Sequence, residues 1–191
     1  VTLVDGVFVL LTIIWTLEFV VFRDRGKKEK DESYEKGKHE SISFYFILVA
    51  IMLAIGVSIL FRENQWAIID VPWVPWLGTA IYAVGIFLRF WAIMKLQVFF
   101  TRNVHATDSM DLVSDGPYRR LRHPLYTALL LCVVGISLYL HTWGGLLISL
   151  ALIVPALLMR IQIEEELLTA ELEERYRKWK RQRWVLLPWI Y

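Results

Sequence analysis

The stretch Ser114-Asp115-Gly116-Pro117-Tyr118-Arg119-Arg120-Leu121-Arg122-His123-Pro124-Leu125-Tyr126 stands between hydrophobic segments and decides how the rest of the chain is read. Asp-Gly-Pro is turn chemistry. Arg119, Arg120, Arg122 and His123 then fall within five residues. Pro124 opens an apolar run, and proline suits the first turn of a helix. Arg122 and His123 therefore precede a helix N-terminus, whose free N–H groups and dipole favour an anion. With Tyr118 and Tyr126 beside them, they predict a basic, aromatic pocket edge at a membrane surface, suited to a ligand with a carboxylate or phosphate. The same residues also fit a positive-inside anchor with interfacial tyrosines. Chemistry alone leaves both readings open.

The apolar flanks are membrane material. Of 191 residues 57% are hydrophobic, nine are tryptophan, and the mean hydropathy is +0.47, a composition that belongs in a bilayer. The single cysteine, Cys132, excludes a disulfide framework within the chain and a cysteine metal cluster. Apolar runs extend over Leu3–Phe22, Ile42–Phe61, Pro72–Leu96, Leu125–Leu140 and Trp143–Met159. The first lacks a basic n-region and a small-residue cleavage site, so it reads as a retained span. Pro72-Trp73-Val74-Pro75-Trp76 suits an interfacial belt. His141-Thr142 is too short a link for anything but a tight helical hairpin, and Gly135, Ser137 and Ser149 permit close helix approach. The expected fold is all-α: a polytopic membrane protein of about five transmembrane helices with a cytosolic C-terminal helix. It is one membrane domain over 1–191, with three spans in 1–96 and the catalytic half in 97–191.

Charge sets the expected orientation. Basic residues gather in three regions: Arg23 to Lys38, Lys95 to Arg122, and the tail from Arg160 to Arg183. The opposite loops hold only Arg62. Five spans put the three basic regions on one side, which is then cytosolic, with the N-terminus outside. The mixed-sign loop from Arg23 to Glu40 reads as a solvated linker. Gln97 to His123 reads as the longest polar connection. From Arg160 to Trp184 a charged helical pattern continues the last span, with Leu167, Leu168, Leu172, Tyr176 and Trp179 at helical spacing. Arg89, inside the third span, reads as a snorkelling cation or as a group facing a polar cavity.

The hairpin brings two polar stretches together on the cytosolic side: Gly116 to Tyr126, and Arg160-Ile161-Gln162-Ile163-Glu164-Glu165-Glu166-Leu167-Leu168. Arg160 and Glu164 are four apart and share a helix face. Glu164, Glu165 and Glu166 need partners, and Arg119, Arg120, Arg122 and His123 are available. That is either a structural ion-pair cluster or a site for a ligand with both charge signs. Carboxylates hold an ammonium or ribose hydroxyls, arginines and histidine hold a carboxylate, and aromatic faces attract a sulfonium. S-adenosylmethionine carries all of these groups, and a nucleotide fits as well.

The run from Leu112 to Tyr126 resembles the Gly-Pro-Tyr…Arg-His-Pro-x-Tyr signature of the isoprenylcysteine carboxyl methyltransferase family. Glu164-Glu165-Glu166-Leu167-Leu168, with Tyr176, Trp179 and Leu187-Pro188, resembles that family's C-terminal block. The resemblance covers about the last half of the chain. It departs at Ala128 and Trp179, and at Leu172-Glu173, where the family has Phe-Gly. It implies an integral membrane enzyme with S-adenosylmethionine in a cytosol-facing pocket and a lipophilic, prenylcysteine-like or other lipid-like acceptor entering from the bilayer. His123, Pro124, Tyr126 and Glu165 carry over as cofactor contacts, with Gly116, Tyr118 and Glu164 behind them and Arg122 beside them. Arg160 is the basic residue near the transferring group. The catalytic set is Arg160, Glu165 and His123. The expected partners are that acceptor and membrane lipid, with no nucleic acid and no metal. A nicotinamide-dependent membrane reductase of sterol-reductase type and a non-catalytic membrane scaffold are the rival readings.

Overall fold

The computed structural model describes residues 2–21, 36–103 and 112–187. The charged stretch from Arg23 to Tyr34 and the C-terminal Pro188 to Tyr191 lie outside the described residues. Among the described residues there are five helices: α1 (Leu3–Val21), α2 (Lys36–Glu63), α3 (Val74–Asn103), α4 (Pro124–Tyr139) and α5 (Trp143–Lys180). A 3₁₀ turn, Gly116–Arg119, precedes α4. Among the described residues, extended pairing is limited to two isolated bridges, Ile68 with Thr142 and Leu121 with Trp184.

Three helices contain stretches long and apolar enough to cross a membrane: Tyr45–Glu63, Val74–Leu96 and α5. The apolar stretches Leu3–Leu17 and Pro124–Tyr139 are shorter. At 1.5 Å per residue α4, with 16 residues, is about 24 Å long. Proline starts it, and a turn with His141 at φ 45° stops it. The expected count of about five thus becomes five helices, three of which meet the length for a bilayer core of ~30 Å. The helices also overrun the expected spans. α3 continues through Gln97 to Asn103, because no glycine or proline interrupts it after Gly85. The apolar part of α5 ends at Met159, and its charged part projects beyond.

Contacts fix alternating helix directions. The start of α1 meets the end of α4 through Tyr139 Oη, which donates to Asp5 at 2.7 Å. The N–H of Ile69, after α2, donates to His141 O at 2.7 Å. At the opposite end the starts of α2 and α4 meet the charged part of α5. Small residues let the helices close. A Cβ on Gly135 would lie 2.6 Å from the Tyr82 backbone nitrogen, so α3 and α4 touch backbone to backbone there. Ser137 donates to Ser149 at 3.0 Å across the hairpin, and Ser58 of α2 joins them at 3.2 and 3.3 Å. Ile47, Ala54, Leu129, Val133, Ile153 and Leu157 fill the core between α2, α4 and α5.

The tail departs most from expectation. Glu173 has φ 44° and ψ −119°, so α5 is broken there. Glu165 and Lys180 would lie about 22 Å apart on a straight helix, yet Lys180 Nζ is 3.4 Å from Glu165 Oε2. The chain reverses at Glu173 and folds back on itself. A left-handed conformation of this kind suits glycine and strains a residue with a Cβ. Leu172-Glu173 is also where the resembled family has Phe-Gly. Glu173→Gly is expected to stabilise the fold by ~1 kcal/mol, the relieved strain exceeding glycine's entropy cost. Thermal unfolding in detergent should show a rise of about 2–4 °C, and an unchanged or lower midpoint would contradict the strain.

Candidate functional site

The site forms where the N-terminus of α4 meets the charged part of α5. His123 is the residue before α4 and is only 8% exposed. Its Nδ1 lies 3.5 Å from Glu164 Oε2 and its Nε2 lies 3.5 Å from Glu165 Oε1. Two consecutive carboxylates on α5 thus clasp one imidazole. Each then has its own escort. Glu164 Oε1 accepts from the Tyr126 hydroxyl in a short hydrogen bond and from Arg160 Nε at 3.0 Å. Arg160 Nε also reaches Tyr126 Oη at 3.2 Å, and its Nη1 donates to Ser43 of α2 at 2.8 Å. Glu165 accepts from Arg122 Nη1 at 3.0 Å and pairs with Lys180.

Arg122, His123, Tyr126, Arg160, Glu164 and Glu165 are therefore brought together. Pro124 is buried and starts α4. Gly116 and Tyr118 stand behind the cluster. Gly116 has φ +60°, and a Cβ there would come within 2.8 Å of Lys95 Cγ and 3.1 Å of Trp91 Nε1 on α3. Tyr118 is buried and its carbonyl accepts from Arg183 Nε at 2.9 Å. Arg119 and Arg120 are exposed and make none of the ion pairs among the described residues. They were among the residues available to neutralise the carboxylates. Lys180, brought in by the reversal at Glu173, fills that role.

The backbone before α4 also differs from expectation. Its N–H groups are not free for an anion, because the returning tail covers them. Arg122 N–H donates to Trp184 O at 2.8 Å and His123 N–H to Val185 O at 3.3 Å. Thr127 Oγ1 donates to Leu186 O at 2.6 Å. Arg122 Nε clamps the same tail through the carbonyls of Lys180 at 3.0 Å and Arg183 at 2.9 Å. A cleft of about 790 Å³ opens beside Glu165, lined by Arg122, Leu158, Ile161, Glu166, Lys180 and Val185 among others. Leu158 and Ile161 lie where the apolar part of α5 ends, and Arg122, Glu165, Glu166 and Lys180 add charge to the lining. Ser43, Thr127 and Lys180 escaped the sequence reading as parts of the site. Glu173, in place of the family's glycine, was the one available sign of the reversal.

The charges reinforce one another. Burial alone would lower the His123 pKa, but the two carboxylates outweigh it and raise it above 6.5. Burial would raise Glu165, but His123 and Arg122 outweigh it and bring it down to about 2. Glu164 is lowered in the same way by His123, Tyr126 and Arg160. Stability from the imidazolium is complete below 6.5 and is lost as pH rises through the raised folded value. Stability from the carboxylates is complete above 4.5 and is lost as pH falls toward their lowered values. Thermal unfolding in detergent should therefore peak between pH 4.5 and 6.5. His123→Gln should abolish the alkaline decline and keep the acid one. The same alkaline slope in that variant would refute the assignment.

Residues 73–175, just over half of the chain, match the phospholipid methyltransferase family. The matched segment holds both motif stretches and ends just before Tyr176. The uncharacterized protein YpbQ of Bacillus subtilis (strain 168) is 23% identical over 159 residues, covering 82% of this chain and 90% of that protein. The family match and the two motifs agree with each other: this chain belongs to the phospholipid methyltransferase family, membrane methyltransferases like the one its sequence resembles.

Proposed function

We propose that the protein takes a methyl group from S-adenosylmethionine and transfers it to a lipophilic acceptor that enters from the bilayer. The acceptor atom is an ionised carboxylate, as on a prenylcysteine-like or other lipid-like molecule. The observation that carries this reading is His123 clasped between Glu164 and Glu165, with Arg160 on one side and Arg122 on the other. Such a cluster offers both charge signs within a few ångströms, as a zwitterionic cofactor requires. The residues fit that cofactor. Glu164 and Glu165 suit an ammonium group or ribose hydroxyls. The Arg122 charge suits a carboxylate. His123 Nε2 is buried and faces the Glu165 carboxylate at 3.5 Å, long for a hydrogen bond. The cleft beside Glu165 has room for a molecule of that size.

Bound there, S-adenosylmethionine supplies a methyl group on a sulfonium. In-line transfer of such a group depends mainly on positioning. The protonation states argue for the acceptor. Glu164 and Glu165 favour the charged form of His123 against its burial, and both carboxylates sit low on the pH scale. Neither carboxylate is a good base at neutral pH. A hydroxyl or amine acceptor needs one, whereas a carboxylate does not. The apolar lining from Leu158 and Ile161 suits the hydrocarbon part of the acceptor. With five passes, the site lies on the face that gathers the basic residues, which is the cytosolic face, and the N-terminus lies outside.

Calorimetric titration of S-adenosylhomocysteine into the detergent-purified protein should give saturable binding. Glu165→Gln and His123→Ala should each weaken it by about tenfold or more, since each strips a buried charged group of its partner. Absent binding to folded protein, or unchanged affinity in both variants, would overturn the cofactor assignment.

A further inference from the structure

The helix ends opposite the clasp enclose a second pocket of about 300 Å³, lined by Asp5, Arg62, Pro75, Trp76, Tyr139 and His141 among others. It gathers the starts of α1 and α3 and the ends of α2 and α4. Four tryptophans stand exposed at this end: Trp66 after α2, Trp73 and Trp76 around the start of α3, and Trp143 at the start of α5. Indole rings concentrate where the headgroups of a bilayer meet its hydrocarbon, so the pocket lies at headgroup depth. Tyr139 stands between two opposite charges. Its hydroxyl donates to Asp5 Oδ1 at 2.7 Å, and the Arg62 guanidinium lies 5.9 Å from its ring centroid. The ring is held by Phe8, stacked on it at 3.8 Å and 5°. Asp5 Oδ2 is fixed in turn by the Thr2 N–H at 2.7 Å, and His141 by its carbonyl, which accepts from Ile69 N–H at 2.7 Å. Arg62 is half-buried and makes no ion pair among the described residues.

We propose that this pocket binds the phosphoethanolamine-type headgroup of a bilayer lipid, with Arg62 on the phosphate and Asp5 on the ammonium. A guanidinium meets phosphate through paired hydrogen bonds. A half-buried cation is stable only with anionic or hydrogen-bonding company, and a phosphate supplies both. A carboxylate that accepts two hydrogen bonds has lone pairs for more, and the Tyr139 and Trp76 rings add their attraction for an ammonium. A phosphate alone gains at Arg62 and loses at Asp5, and an amine alone does the reverse. The pair therefore selects a ligand whose own opposite charges are a short distance apart. Leu3, which also lines the pocket, and Leu77, next to Trp76, are exposed and apolar, which suits the lipid's hydrocarbon. Such a lipid is not the methyl acceptor of the clasp. The 16 residues of α4 alone put about 24 Å between Tyr139 and His123. Bound here, the headgroup bridges α1 to α2 across Tyr139, and this role is independent of the methyltransferase reading.

The test is native mass spectrometry of the full chain, delipidated in detergent, with lipids added back. Dioleoylphosphatidylethanolamine should bind as one saturable copy. Dioleoylphosphatidylglycerol keeps the phosphate and lacks the ammonium, and should bind about fivefold more weakly. Dioleoylglycerol, without a headgroup charge, should show no saturable copy. Arg62→Gln and Asp5→Asn should each weaken the phosphatidylethanolamine copy by about tenfold. Arg62→Lys keeps the charge and should retain most of the affinity, which separates loss of the contact from loss of the fold. Soluble phosphoethanolamine at millimolar concentration should fail to displace the lipid, because the chains hold it as well. If the free headgroup binds as tightly as the lipid, a soluble zwitterion is the ligand and the lipid assignment falls. Equal binding of all three lipids, or unchanged affinity in both Arg62→Gln and Asp5→Asn, overturns the site. So does a copy that Glu165→Gln weakens while Arg62→Gln does not, since that lipid sits in the cleft beside the clasp. Binding of S-adenosylhomocysteine, measured separately, bears on the methyltransferase reading alone.

Discussion

The imidazole of His123, clasped between the carboxylates of Glu164 and Glu165, is the constraint on which the rest of the site depends. Neighbours on a helix point about 100° apart, so both reach one ring only if that ring sits at the helix edge between them. The residue before α4 occupies that place. It stays there because the hairpin at His141-Thr142 runs α4 and α5 side by side, and because Gly135 and the Ser58–Ser137–Ser149 cluster remove bulk between helices. The clasp also fixes protonation. Two half-buried carboxylates one residue apart repel unless cations lie between and around them. His123 lies between, with Arg160 and Arg122 on the flanks.

The same constraint explains the tail. A helix N-terminus leaves N–H groups unmet, and the start of α4 is partly buried. The segment from Trp184 to Leu186 supplies carbonyls to Arg122, His123 and Thr127. To arrive there the chain must turn back from α5, and Glu173 takes an unfavourable backbone conformation to do so. The reversal also delivers Lys180 to Glu165 and puts Tyr176 in the interior. Arg122 locks the result, because its guanidinium spans a carboxylate and two tail carbonyls. It thus serves both the charge of the cleft and the closure of the fold.

Much of this was legible in the chain itself. Hydropathy located the helices, since an apolar run of bilayer length has few alternatives. The two-residue link after Leu140 announced the hairpin, and the hairpin put Gly116–Tyr126 beside Arg160–Leu168. Other features were hidden for physical reasons. Helix ends are not marked by hydropathy, so α3 ran past Leu96 as long as nothing broke it. The reversal at Glu173 was masked by apolar residues at helical spacing on both sides of it. Leu172, Tyr176 and Trp179 keep the period although the helix does not. Ser43 left no trace at all. One serine in an apolar helix has many possible roles, and only the packing of α2 on α5 shows which guanidinium it meets.

The boundaries of the family match divide the site in a telling way. Residues 73–175 include the histidine, both carboxylates, Arg122, Arg160 and Tyr126. Ser43 lies before them, and Tyr176, Lys180 and the returning carbonyls of Trp184 to Leu186 lie after them. The matched part therefore holds most of the site's charges, and the flanking parts add Lys180 and enclose them. On the proposed reading this separation has a chemical logic. Cofactor binding asks for charges of both signs in a fixed arrangement, which α4 and α5 supply. Acceptor choice asks for an apolar wall of suitable shape, and Leu158, Ile161 and Val185 are among the residues that line the cleft. The tail that brings Val185 there can change without disturbing the clasp, provided its carbonyls still reach the N–H groups of Arg122 and His123. Side-chain changes along the tail then alter what the cleft admits, while its backbone continues to hold the histidine in place.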